Sequence, residues 1–231
     1  MKVFLFGLGR LALVLGGLCC SSLSVLSAGE PDARHPLVDL GAVPGLKIEL
    51  AYASSANCVQ RPVYPQDAHA WADPRVAECL EYAAATLAMQ GCRLVLLDAY
   101  RPPWAVERLW EIGRAMNLDI RYLSNPAGRG SDHSRGAAVD VTMERIDGSP
   151  VEMPCRFDEF SEMAWIDCPH VTRLAAANRD LLCLAMEAAG FKVHPEEWWH
   201  YVIPEARANP IFFLSLQTGE AAARHSQRAK R

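Results

Sequence analysis

Residues 131–140 read SDHSRGAAVD, a polar loop that runs directly into an apolar segment. His133 lies at the end of the loop, and Asp140 lies inside the apolar segment. Burying an ionised carboxylate in a dry core is costly unless a cation or several hydrogen bonds compensate the charge. Because imidazole and carboxylate groups are both zinc ligands, the stretch predicts one side of a metal site. Taken alone, Asp140 is equally well explained as a hydrogen-bonded buried acid.

A second cluster follows at residues 196–201, which read EEWWHY. Glu197 and His200 are three positions apart and are embedded in bulky aromatic residues, which exclude water from a site. In a flat strand the two side chains would face opposite ways, so a shared role requires a turn or a bulge between them. His200 alone could equally be a satisfied core histidine. Two histidines and one aspartate leave a fourth position open, as in a catalytic zinc site.

The remaining pattern interleaves helices and strands in a chain of 231 residues, a length that suits one compact domain. Apolar periodicity and capping residues predict helices at residues 74–90, 103–116 and 172–189. Short apolar runs predict strands at 93–98, 137–143 and 198–203. The alternation of Leu46, Ile48, Leu50 and Tyr52 predicts a further strand.

The first 27 residues have the order of a secretory signal, with Lys2 and Arg10 before an apolar run at residues 11–20 and small residues after it. A membrane anchor is the alternative, but the run is shorter than the roughly 20 residues that span a bilayer. Cleavage after residue 27 removes two cations and no acid, so the formal charge changes from −4 to −6. An acidic surface argues against nucleic acid as a partner. We therefore expect an exported, periplasmic domain at 28–218 with a loose polar tail at 219–231.

Six cysteines follow the predicted signal, and none of them has C-x-x-C spacing. An oxidising compartment would allow pairing, so we expect at least one disulfide, with the connectivity open among 15 full pairings. Buried unpaired thiols are the alternative for Cys79 and Cys183, which lie on predicted apolar helix faces. The six are Cys58, Cys79, Cys92, Cys155, Cys168 and Cys183.

Four stretches of the chain resemble the VanX-type D-alanyl-D-alanine dipeptidases, zinc peptidases related to the D,D-carboxypeptidases and to the Hedgehog domain. They are DAYRP at 98–102, SDHSRGAAVD at 131–140, RFD at 156–158 and EWWHY at 197–201. The resemblance implies an α+β fold of one domain, with a central, mainly antiparallel sheet flanked by helices. It also implies one zinc ion and a small D,D-dipeptide as substrate. Nothing in the pattern indicates an oligomeric state or a stable membrane partner.

The resemblance also implies roles for the residues of the two clusters. His133, Asp140 and His200 would bind zinc, and Glu197 would act as general base and acid. Arg101 would stabilise the oxyanion that develops during hydrolysis, a role that suits its planar and permanent charge. A surface salt bridge is the alternative for Arg101.

Substrate contacts are implied for three further residues. Ser131 and Asp158 would hold the dipeptide, with the carboxylate pairing with the free ammonium group. Tyr52 would line the pocket, although tyrosines in alternating strands more often only pack. An ion pair between Arg156 and Asp158 is the structural alternative, and His194 is a rival metal ligand.

Two other functions remain open at this stage. A D,D-carboxypeptidase acting on longer peptidoglycan peptides would use the same metal ligands, and a non-catalytic zinc-binding module would recognise the wall without cleaving it. An export signal departs from the best-known members of the family, which act in the cytoplasm. It favours turnover of cell-wall peptides or scavenging over a role in antibiotic resistance.

Overall fold

The computed structural model describes residues 36–217. The predicted signal at 1–27 and the predicted tail at 219–231 lie outside these residues. Three α-helices and seven strands follow one another along the described chain. In order they are β1 (Val38–Asp39), β2 (Leu46–Ile48), β3 (Trp71–Ala72), α1 (Pro74–Ala88), β4 (Cys92–Asp98), α2 (Pro103–Ala115), β5 (Ala138–Arg145), α3 (Arg173–Ala188), β6 (Lys192–His194) and β7 (Glu197–Val202).

The main sheet has five strands in the order β2-β4-β5-β7-β6. Its β2–β4 pair is parallel, whereas the pairs β4–β5, β5–β7 and β7–β6 are antiparallel. Strands β1 and β3 form a separate antiparallel pair. The expected α+β fold with a mainly antiparallel sheet is therefore confirmed.

The predicted helices are present because their ends carry the expected signals. Asp73 caps α1 by accepting a hydrogen bond from the Arg75 amide at 2.9 Å, and Pro74 occupies the first helical position. Thr172 caps α3 in the same way, through the amide of Ala175 at 3.0 Å. No helix in residues 36–217 has the length and apolar character required for a membrane span.

The main core lies between one face of the sheet and helices α1 and α3, which pack against each other. Val139 and Val141 of β5 are buried in this core beside Leu94 and Leu96 of β4. Successive side chains of a strand point to opposite faces, so Asp140 points away from this core. The opposite face of β5 therefore carries a polar residue in the middle of the sheet.

Helix α2 belongs to a second, smaller core that contains Tyr52, Tyr64, Tyr100 and Leu109. The hydroxyl of Tyr100 donates a hydrogen bond to the carbonyl of Phe212 at 2.9 Å. This contact ties the C-terminal segment of the described chain to the end of β4. The hydroxyl of Tyr64 donates to Asp98, which is paired with Asp140, so the second core lies beside the face of the sheet that carries Asp140.

The strand predicted to reach Tyr52 is shorter than expected. Strand β2 ends at Ile48, and residues Ala51–Ala53 form a 3-10 turn. The side-chain amide of Asn57 donates to the carbonyl of Ala51 at 3.2 Å and holds this segment in a compact loop. Tyr52 is consequently a buried loop residue, and the prediction of an extended conformation there was wrong.

The predicted disulfide is also wrong, since all six cysteines in the described chain are free thiols. They lie on different elements, and Cys92 and Cys168 are buried as small apolar side chains. The alternative of unpaired thiols therefore holds for the whole set: Cys58, Cys79, Cys92, Cys155, Cys168 and Cys183.

Candidate metal centre

His133, Asp140 and His200 meet at one point on the polar face of the sheet. The distances are 3.2 Å between His133 Nε2 and His200 Nδ1, 3.4 Å between His133 Nε2 and Asp140 Oδ1, and 3.0 Å between His200 Nδ1 and Asp140 Oδ1. Ligand atoms bound tetrahedrally at about 2.0 Å from one ion are about 3.3 Å apart. The three side chains therefore fit one small divalent ion without rearrangement.

Strand register explains why residues so distant in sequence meet. Asp140 of β5 lies directly opposite His200 of β7, and residues opposite each other in an antiparallel pair project from the same face. On its other side Asp140 is paired with Asp98 of β4, after a register shift between Leu96 and Asp98. Without this bulge Asp98 would share the core face with Leu96. The irregularity instead turns Asp98 towards the metal cluster.

His133 reaches the cluster from a 3-10 turn, His133–Arg135, that ends at Gly136 in the left-handed conformation with φ 64°. Its Nδ1 atom lies 2.7 Å from the carbonyl oxygen of Ala99, which can only accept a hydrogen bond. The ring proton is therefore on Nδ1, and the lone pair of Nε2 faces the cluster. Ser131 supports the turn by accepting a hydrogen bond from the His133 amide at 3.2 Å.

Opposing effects act on the protonation of the ligands. Burial alone would raise the pKa of the Asp140 carboxyl, but His133 and His200 hold that pKa well below its usual range. Burial would lower the pKa of His133, but the charge and hydrogen bond of Asp140 and the charge of Asp98 together outweigh burial, and the pKa is raised. The cluster thus keeps one negative charge surrounded by imidazoles. A divalent cation bound there would require neutral imidazoles, because metal ligands must be deprotonated.

Glu197 lies beside the cluster because the predicted bulge in β7 is present. The register of β6 against β7 shifts between Val193 and His194, so that His194 pairs with Glu197. One carboxylate oxygen of Glu197 lies 3.9 Å from His200 Nδ1. Burial raises the pKa of Glu197 to about 7, assisted by the charges of Asp140 and Asp158. A carboxyl group with this pKa can accept and release a proton near neutral pH.

Arg101 is buried between two carboxylates. Its guanidinium lies 2.8 Å from Asp98 Oδ2 and 3.3 Å from Asp140 Oδ2. The face of the Tyr52 ring lies 4.8 Å from the guanidinium carbon, a cation–π contact. With 8% of its surface exposed, Arg101 is not part of a surface salt bridge. Its charge is directed at the metal cluster by Asp98, for which the sequence alone suggested no role.

Asp158 lines the same cavity in an unusual backbone conformation, with φ 59°. The amide of Cys58 donates to its carboxylate at 3.1 Å. Burial raises the pKa of Asp158 to about 6, helped by the charge of Asp140. The alternative pairing with Arg156 is not formed, because that arginine contacts Glu159 at 3.3 Å instead.

The cavity beside the cluster has a volume of about 370 Å³ and includes every predicted site residue in its lining. His194 also lines the cavity. Within the described chain, however, the side chains that could share an ion there are His133, Asp140 and His200, and His194 is not one of them. Its Nδ1 accepts a hydrogen bond from the Glu196 amide at 3.3 Å. The residues predicted for the site and found around this cavity are Tyr52, Arg101, Ser131, His133, Asp140, Asp158, Glu197 and His200.

Two supporting residues were missed by sequence reasoning. Asp98 is fully buried and accepts hydrogen bonds from Arg101 and from the hydroxyl of Tyr64, the latter at 2.8 Å. An acid at the end of an apolar strand was the available signal for Asp98. The sequence carried no such signal for Cys58, whose backbone amide donates to the Asp158 carboxylate.

Comparison with known proteins gives one consistent result. The model of peptidase family M15, described as D-Ala-D-Ala dipeptidase, matches residues 34–217. The D-alanyl-D-alanine dipeptidase of Escherichia coli K12 is 35% identical over 176 residues, which cover 76% of this chain and 88% of the relative. Proteins of the same name from Enterococcus faecium and Streptomyces coelicolor are each 31% identical, over 180 and 190 residues. These alignments cover 70% and 74% of this chain and 87% and 92% of the relatives.

Proposed function

Since the chain belongs to the D-Ala-D-Ala dipeptidases of peptidase family M15, which are metallopeptidases, we propose that it hydrolyses D-alanyl-D-alanine and similar D,D-dipeptides with one zinc ion. The observation that supports this most strongly is the triangle of His133, Asp140 and His200, whose edges of 3.0 to 3.4 Å suit tetrahedral zinc. Two imidazoles and one carboxylate also leave room for a fourth ligand.

When bound, a zinc ion supplies a Lewis acid that lowers the pKa of water and withdraws charge from a peptide carbonyl. The protein groups around it have separate tasks. Glu197 accepts the proton of the attacking water and then delivers it to the leaving amine, for which a pKa near 7 is suited. Arg101 remains charged and stabilises the oxygen that becomes negative in the tetrahedral intermediate.

Recognition of a free amine is assigned to Asp158. The residue is 8% exposed and lines the cavity that Glu197 also lines. An ammonium group bound there would hold the carboxylate in its charged form and form a charge-assisted hydrogen bond. Ser131 contributes by fixing the turn of His133, and Tyr52 packs against Arg101 at the wall of the cavity.

The test is hydrolysis of D-Ala-D-Ala by the purified protein and two variants. Glu197→Ala should lose at least about 1000-fold in kcat, because the proton acceptor is removed, while its zinc content stays near one per chain. His133→Ala should lose the metal and the activity together, since one of three ligands is missing. Zinc is measured by elemental analysis of the dialysed proteins.

Hydrolysis by Glu197→Ala at a rate close to that of the wild type would overturn the assignment of the base. Hydrolysis of D-Ala-D-Ala and of its amine-acetylated form distinguishes a dipeptidase from the alternative, a D,D-carboxypeptidase. The buried carboxylate of Asp158 favours the free amine, so the acetylated compound should be a poor substrate. A non-catalytic module would hydrolyse neither compound.

We also propose that the protein is exported and acts on fragments of peptidoglycan in the periplasm. The support is the order of charged, apolar and small residues in positions 1–27. The catalytic domain would then span 28–218, followed by the polar tail at 219–231. Recovery of the full-length chain in the cytoplasmic fraction, with residues 1–27 still attached, would contradict this proposal.

A further inference from the structure

The cavity beside the metal cluster extends from Glu197 to the loop at residues 121–132. A dipeptide with free ends has a negative carboxylate as well as a positive ammonium group. Asp158 is the proposed partner of the ammonium group, but the roles assigned so far include no partner for the carboxylate. A cation at the other end of the cavity would complement the negative charge of such a zwitterion.

Four arginines line the cavity, and three of them already have carboxylate partners. Arg101 is paired with Asp98 and Asp140, Arg121 with Asp119 at 2.6 Å, and Arg207 with Asp132 at 2.7 Å. The side chain of the fourth arginine forms no ion pair or hydrogen bond with any residue in 36–217. This fourth residue is Arg129.

The backbone that carries Arg129 is held in place although its side chain is exposed. Its carbonyl oxygen accepts a hydrogen bond from Arg135 Nη2 at 2.9 Å. The next residue, Gly130, has φ 85°, and a Cβ atom there would lie 2.3 Å from Ile211 Cδ1. Gly130 thus lies close against the Ile211 side chain, so the loop contacts the C-terminal segment. Arg129 is therefore a free cation on an anchored segment at the cavity wall.

We propose that Arg129 binds the free carboxylate of the substrate. The inference rests on the proposed dipeptidase function and deepens it, since it names the residue that recognises the carboxyl end of the substrate. A guanidinium matches a carboxylate in planar geometry, and no existing ion pair has to be broken to free it. Arg129 and Asp158 would then bind the two charged ends, with the scissile bond near the metal cluster.

The experiment compares D-Ala-D-Ala with D-Ala-D-Ala amide, whose carboxyl end is neutral, as substrates of the wild type and of Arg129→Gln. We expect Arg129→Gln to raise the KM of the dipeptide about tenfold, because a charge-assisted hydrogen bond to an exposed group is lost. Its kcat should change less than about twofold, since binding and not chemistry is affected. The KM of the amide should not change.

Arg108→Gln is the matched control, because it removes the same charge from an exposed arginine of α2 outside the cavity lining. Its preference for the carboxylate over the amide should equal that of the wild type. The assignment is overturned if Arg129→Gln keeps the wild-type preference for the carboxylate, or if it raises the KM of the dipeptide and of the amide equally. Absence of hydrolysis by the wild type would instead overturn the proposed function, and this inference with it.

Discussion

At the scale of single residues, Arg101 depends on a carboxylate outside the predicted site. Asp98 is completely buried and holds the guanidinium at 2.8 Å, while the hydroxyl of Tyr64 occupies its other oxygen. A buried charge pair is stable only when both partners remain hydrogen-bonded. The direction of the Arg101 charge is therefore set by Asp98 and not by Arg101 alone.

We predict that Asp98→Asn lowers kcat about 100-fold, because the neutral amide no longer attracts the guanidinium by charge and the oxyanion donor is misplaced. The free energy of unfolding should fall by about 3 kcal/mol, since a buried charge loses one of its two carboxylate partners. Steady-state kinetics and urea unfolding measure the two effects.

Tyr64→Phe is the control for Asp98→Asn, because it removes the other hydrogen bond of Asp98 and leaves the contact with Arg101 intact. It should cost about 1 kcal/mol of stability with little change in kcat. A kcat of Asp98→Asn within twofold of the wild type would contradict the orienting role.

At the scale of elements, the turn between His133 and Asp140 determines whether the ligands meet. Gly136 ends the turn with φ 64°, and its carbonyl accepts a hydrogen bond from the Asp73 amide at 3.0 Å. A Cβ atom at this position would lie 2.7 Å from a methyl group of Leu37. The turn thus combines a left-handed residue with a close approach of two other segments.

We predict that Gly136→Ala destabilises the protein by about 2 kcal/mol or more, from the left-handed conformation and the clash together. Movement of the turn should also shift His133 and weaken zinc binding about tenfold or more. Thermal unfolding and competition with a zinc-binding dye measure these effects.

Gly148→Ala separates the effect of the left-handed conformation from that of the clash, since Gly148 has φ 85° but nothing within 4 Å of an added Cβ atom. It should lose only about 1 kcal/mol and keep its zinc affinity. Equal zinc affinities for the two glycine variants would show that the position of the turn does not depend on the contacts of Gly136.

At the scale of the whole molecule, the candidate metal site connects three separate parts of the fold. His133 comes from the loop after α2, Asp140 from the middle strand and His200 from β7. An ion bound by all three stabilises the folded state, because the unfolded chain does not bring these residues together.

We predict that removal of the metal with a chelator lowers the Tm by about 5 to 10 °C, relative to protein with free zinc about 100-fold above its Kd. The matched control is His194→Ala, which removes a neighbouring imidazole outside the three-residue group and should retain the zinc-dependent shift. An identical Tm with and without chelator, together with retained activity, would contradict a metal site in this cluster.

Much of the fold could be predicted from local patterns. The helices at α1, α2 and α3 were located by their capping residues and apolar periodicity, and β4, β5 and β7 by short apolar runs. These features depend on neighbours within a few positions, so the sequence carries them directly. The segment around Tyr52 was misread because its alternation is overridden by hydrogen bonds from Asn57.

The residue types of the site could also be recognised, because an acid inside an apolar strand and a carboxylate near an imidazole are unusual in a sequence. Whether these residues lie close together is determined by the tertiary structure. Only the register of β5 against its neighbours places His200 opposite Asp140, and only the bulge before Asp98 turns that residue towards Arg101. The unpaired state of Arg129 likewise depends on which carboxylates reach the other arginines. Local periodicity reports the conformation of a segment, whereas register and ion pairing result from contacts between segments far apart in the chain.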